Sequence, residues 1–162
     1  MRRIDLQTRC LYFNRCISVM RVAQRFGGIT DGLSNTLCAS ETIQGKWSGP
    51  FNTSTYPWDI RGWTHWGPST QFTTHLTPNS RQPDVMDTPQ FYCNNLFNPR
   101  HPCTGNSTAW PGWTLAARSD HPGGVNAVLL DGSVRFYSNT VDVRAWQSLG
   151  STHGGEVTSG DL

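Results

Sequence analysis

Val125-Asn126-Ala127-Val128-Leu129-Leu130, Asp131-Gly132, Ser133-Val134-Arg135-Phe136-Tyr137-Ser138 is the stretch that decides the fold class. Two β-prone runs flank an Asp-Gly dipeptide, a strong hairpin signal, because both central residues of a type I′ turn need φ > 0. A lone hairpin is barely stable in water, so further strands or a helix must cover it. Just downstream, Asn139-Thr140 offers a cap for a short helix from Val141 to Leu149. Val141, Ala145 and Leu149 share one face of that helix, Trp146 lies beside them, and Gly150 stops it.

Working outward, Gln71-Phe72-Thr73-Thr74-His75-Leu76 alternates like a strand and ends in the turn residues Thr77-Pro78-Asn79-Ser80. From there to about Pro111 no periodicity is visible, which predicts an ordered loop pinned by cysteines. Nearer the N-terminus, Thr30-Asp31-Gly32-Leu33-Ser34-Asn35-Thr36 reads as a capped helical turn, with Thr30 or Asp31 supplying the N-cap oxygen. A strand follows from Leu37 to Ile43 and ends at Gly45. The sum is an α+β fold of mainly antiparallel strands, with two short helices near 31–37 and 141–149 and a C-terminal β-hairpin.

Composition supports one turn-rich domain. The chain has 162 residues, with 16 Gly and 10 Pro but also seven Trp, seven Phe and four Tyr. Hydrophobic residues at 36% and charged residues at 15% exclude a coiled coil or helix bundle, and the aromatics argue against long disorder. Charge is uneven: residues 1–25 carry six Arg against one acid, a net of +5, and the remainder carries −3. No basic patch continues into the body and no nucleic-acid motif is present, so nucleic acid is not an expected partner. No apolar stretch approaches the ~20 residues of a membrane span. Arg15 interrupts the most apolar N-terminal run, which therefore does not read as an export signal.

A family resemblance rests on His121-Pro122-Gly123-Gly124, nine residues counted from Pro122 to Leu130, and then Asp131-Gly132. With Ile29 to Thr36, Phe72 to Ser80, Asp142 to Trp146 and Gly154-Gly155-Glu156-Val157, this order resembles a planctomycete-type prepilin-like family. Its hallmark is a His, nine residues and Asp-Gly near the C-terminus, and it is also grouped under a solute-binding label. The resemblance implies an exported, pseudopilin-like domain, periplasmic or at the cell surface, tethered by an N-terminal hydrophobic helix. It covers about residues 28–158 and corresponds to the C-terminal part of a member. On this reading 26–162 is that part of the family domain, and 1–25 is a basic remnant or translation from a misplaced start. Membrane contact would then come only through a helix that this chain lacks.

Each candidate for chemistry has a plainer explanation. A strand between His121 and Asp131 would hold their Cα atoms about 25 Å apart, too far to share a proton or metal. His121 then sets the start of the strand and Asp131 makes the turn. Neither Cys-x-x-Cys nor His-Glu-x-x-His occurs, so zinc has no visible ligand set. Calcium fits better than zinc, with Asp31, Asp59 and Asp131 as oxygen donors, although turns explain all three. The sequence contains no Gly-x-Ser-x-Gly elbow or phosphate loop, and no catalytic residue or cofactor is expected. Cys93 and Cys103, ten apart in a loop-like stretch, are the candidate disulfide of an exported protein, while Cys10, Cys16 and Cys38 have no evident partners. Trp58, Trp63 and Trp66, with Trp47 nearby, either fill the core or form an exposed platform for sugars.

Two functions are therefore expected from different classes. One is a non-catalytic structural or assembly subunit that self-associates or joins pseudopilus-like partners. The other is an extracellular module binding a saccharide or other solute.

Overall fold

Successive side chains of a strand point to opposite faces, so Val125, Ala127 and Leu129 share one apolar face, and the structure is built on that face. The computed structural model describes residues 18–19, 22–23, 25–46, 59–62, 71–86, 99–105 and 114–155. Strands are β1 (Ser18–Val19), β2 (Val22–Ala23), β3 (Leu37–Ser40), β4 (Asp84–Met86), β5 (Cys103–Gly105), β6 (Gly124–Leu129) and β7 (Val134–Ser138). Helix α1 spans Val143–Ser148, and short 3₁₀ turns occupy Phe26–Gly28 and Leu33–Asn35.

The central sheet has the order β3-β6-β7 and is antiparallel throughout. Val125 pairs with Tyr137 and Leu37 with Leu129, which places their side chains in one core with Ala117, Ala127, Trp146 and Leu149. Trp146 is fully buried, donates from its indole Nε1 to Leu76 O at 3.0 Å, and tilts against Tyr137 at 5.3 Å between ring centroids. The indole thus finds the polar partner that a buried Trp requires. A register shift between Leu37 and Ala39 leaves Cys38 exposed on β3.

Local chemistry differs from the sequence expectations at several points. The β6–β7 connection is not a two-residue type I′ turn. Gly132 N donates to Leu129 O at 3.0 Å, Leu129 N donates to Ser133 O at 2.9 Å, and Gly132 alone in the connection has positive φ, at 84°. This is the pattern of a three-residue loop, a type I turn closed by a left-handed residue. Asp131 is relieved of any left-handed role and instead accepts from Ser133 N and Ser133 Oγ, at 2.9 and 2.7 Å.

The helix expected at 31–37 is only the 3₁₀ turn Leu33–Asn35, without a side-chain cap. Asp31 spends its carboxylate on Gly154 N and Gly155 N, and Leu37 N donates to Leu149 O, which draws the chain into strand. The strand from Leu37 stops at Ser40, short of Ile43. Residues 71–76 are irregular, with bends at 74–76, rather than a strand: Thr73 N donates to Leu115 O, but no ladder follows among the described residues. Within the expected loop, β4 and β5 pair in parallel, with Asp84 opposite Cys103. The C-terminal helix is capped by Asp142, which accepts from Arg144 N and Ala145 N, rather than by Asn139 or Thr140.

Candidate functional site

Two constellations gather polar side chains. The first lies where the chain enters β6. His121 is exposed, and its Nε2 lies 2.9 Å from Glu41 Oε1. Glu41 Oε2 accepts from Asn126 N at 2.8 Å, so one carboxylate just beyond β3 fastens both His121 and the third residue of β6. Burial would push the Glu41 carboxyl up, but the Asn126 hydrogen bonds and the nearby His121 bring it below its ordinary value. Asn79, in a left-handed conformation at φ 51°, donates to Gly124 O and Asn139 Oδ1 and accepts from Ser119 N. Ser119 Oγ donates to the same Gly124 carbonyl at 2.7 Å.

The motif residues serve this junction and the far turn. Pro122 is exposed, Gly123 is left-handed at φ 86°, and its carbonyl accepts from Asn139 N. Gly124 is buried, and a Cβ there would collide with the Tyr137 carbonyl oxygen as well as with the Phe136 ring. His121 and Asp131 flank opposite ends of β6, and the exposed Asp131 carboxyl is lowered by the hydrogen bonds from Ser133. The structure therefore does not bring the pair together. It uses them to fix the two ends of one strand.

The second constellation is buried and was not singled out from the sequence. Asp84, at the start of β4, sits between two guanidinium groups. Its Oδ2 accepts from Arg61 Nη1 at 3.0 Å and Arg118 Nε at 3.2 Å, and lies 3.2 Å from His101 Nε2. Its Oδ1 accepts from Arg118 Nη2 at 2.8 Å and Ala116 N at 2.9 Å. Arg61 also grips Asp59 in a two-pronged pair, at 2.8 Å from Nε and 2.5 Å from Nη2. Remaining guanidinium protons go to backbone carbonyls: His101 O and Pro102 O for Arg61, and Ser80 O, Gln82 O and Arg100 O for Arg118.

All five side chains are buried. Desolvation pushes the Asp84 carboxyl up, but hydrogen bonds from His101 and Arg118 and the charges of Arg118 and Arg61 outweigh it, holding the group at about 2. Burial pushes His101 below its ordinary 6.5, only partly opposed by Asp84. Neutral His101 leaves two arginines against two aspartates, a balanced set of the kind that makes buried charge tolerable. With Nε2 directed at Asp84, His101 Nδ1 is left buried without a partner. Arg100 and Asp120 make a further pair, but both are mostly exposed.

The other sequence candidates are dispersed. Asp31, Asp59 and Asp131 each bond elsewhere, to Gly154 and Gly155, to Arg61 and to Ser133 respectively. Among the described residues no three His, Cys, Asp or Glu side chains are grouped to hold a metal ion. Cys103 is buried and disulfide-bonded. Cys93, Trp47, Trp58, Trp63 and Trp66 lie outside the described residues. The signal that Arg61 and Arg118 were core residues was slight: Arg118 follows the apolar run Leu115-Ala116-Ala117, and Asp59 alternates with Arg61 around Ile60.

Fold and sites together define a mainly antiparallel α+β domain whose polar side chains knit distant segments. Residues 8–144 match the family described as protein of unknown function DUF1559, which also carries a solute-binding label, and the chain belongs to that family. The match begins within the basic N-terminal segment and includes the whole His121 to Gly132 motif. No curated protein and no solved structure matched the chain.

Proposed function

We propose that this chain is a non-catalytic, exported structural module, pseudopilin-like in its family role, that acts by associating with other subunits. The observation that carries this reading is the outer edge of the central sheet. Among the described residues β7 is the last strand in the order β3-β6-β7, and on it Val134 is 64% and Phe136 52% exposed. An edge strand with apolar residues in solvent favours pairing with another chain. The non-catalytic part draws on the buried cluster: a carboxylate held near 2 between two arginines is a poor proton acceptor at neutral pH. Export is supported by the disulfide at Cys103, since such bonds persist in oxidising compartments.

The family's solute-binding label favours a second reading, an extracellular module for a saccharide or other solute. Sedimentation velocity separates the two. Association that rises with concentration and is lost in a Val134→Lys/Phe136→Lys variant supports assembly. A chain that stays monomeric and binds a saccharide tightly in calorimetry replaces assembly with solute binding.

A further inference from the structure

The segment leading into β5 is held in two ways, and both meet at Cys103. Arg100 O, His101 O and Pro102 O, three successive carbonyls, accept from the guanidinium groups of Arg118 and Arg61. The His101 imidazole faces Asp84, and Pro102 O also accepts from Asp84 N at 2.9 Å. The next residue, Cys103, is disulfide-bonded and pairs with Asp84 across the parallel ladder. One covalent bond and one ionic cluster thus fasten the same four residues.

We infer that the Cys103 disulfide and the buried ionic cluster form a single redox-sensitive latch, in which oxidation closes the 100–103 segment over Arg61, Arg118 and Asp84, and reduction releases it. Without the covalent tie, ordering this segment falls on the carbonyl contacts, the His101–Asp84 contact and a three-residue parallel pairing. When the segment leaves, two buried guanidinium groups lose acceptors and Asp84 loses the imidazole, a costly state for desolvated charge. Linkage makes the effect reciprocal: the factor by which the disulfide favours the closed cluster is the factor by which the closed cluster favours the disulfide over the thiols. The latch would stand open in a reducing cytoplasm and close after transfer to an oxidising compartment.

The reducing step is an ordinary exchange. The thiolate of a small dithiol attacks one sulfur, the S–S bond breaks and one cysteine is released. The dithiol's second thiolate then attacks the mixed disulfide, frees the other cysteine and closes the reagent's own ring. Two electrons pass to the protein, and two protons complete its thiols.

The test equilibrates the intact chain with graded mixtures of reduced and oxidised dithiothreitol and reads Cys103 by alkylation and mass spectrometry. Arg61→Met is expected to shift the equilibrium at least tenfold toward the thiol, about 30 mV for this couple. Gly132→Val, which disturbs a remote turn, is expected to leave it within twofold. An unchanged equilibrium in Arg61→Met overturns the latch. An equal shift in Gly132→Val also overturns it, because the disulfide would then report only global stability. Should Arg61→Met fail to fold, His101→Asn takes its place with the same expected direction. The wild-type chain gives an independent arm: dithiol reduction must expose the Arg100, His101 and Cys103 amides to hydrogen exchange ahead of those of β6, and equal protection of the two segments overturns the proposal.

Discussion

Replacing Asp84 by Asn keeps the side chain's shape and removes one negative charge from the centre of the ionic cluster. Arg61 retains Asp59, but Arg118 keeps only neutral acceptors, the carbonyls of Ser80, Gln82 and Arg100 and the one oxygen of the new amide, with no counter-charge. Arg118 and Asp84 are fully buried, so solvent cannot compensate. Breaking one partner of a buried pair costs about 3–5 kcal/mol, a large share of the roughly 5–15 kcal/mol that holds a domain together. For a chain of this size the melting temperature should fall by roughly 6–20 °C. Asp120→Asn removes a carboxylate from the exposed Arg100 pair and should change stability by no more than about 1 kcal/mol. Adding Arg118→Met to Asp84→Asn removes the stranded charge, so the double variant should melt above Asp84→Asn alone. Calorimetry and circular dichroism read all three. Equal midpoints for Asp84→Asn and Asp120→Asn would refute the reasoning, as would a double variant whose losses simply add.

Acid should weaken the fold in two stages, measured as urea midpoints from pH 8 to pH 2. His101 is depressed below 6.5 by burial, so the unfolded chain binds its proton first and stability drains as pH falls below about 6.5. Asp84, at about 2 against an ordinary 3.8, contributes about 2 kcal/mol above pH 3.8 that is lost as pH falls through 2. His101→Asn should flatten the upper stage, and a wild-type profile level from pH 7 to 5 would remove His101 from this account. At the β6–β7 turn, Gly132→Val should cost about 1–3 kcal/mol from strain at φ 84°, because no neighbouring atom crowds the site. Ser133→Thr retains the hydroxyl that donates to Asp131 and should leave the denaturation midpoint in place.

The sequence by itself determined what neighbours in the chain can settle. The β-prone runs on either side of Asp131-Gly132 marked two strands and the place where the chain reverses. The residues from Val141 to Gly150 marked a short helix, but only the structure showed that Trp146, set beside its apolar face, is fully buried. Such features depend on side-chain period and on which residue tolerates positive φ, and both are local. Even here the turn type escaped, because Leu130 joins the loop once Leu129 pairs with Ser133. The helix expected at 31–37 gave way when Asp31 bonded to Gly154 and Gly155, more than 120 positions away. Only the tertiary structure decided the ionic cluster. Asp59, Arg61, Asp84, His101 and Arg118 come from four separate segments, and each alone reads as an ordinary surface residue. What buries them is the convergence of those segments on Asp84, where charges that would be costly singly become stable by satisfying one another.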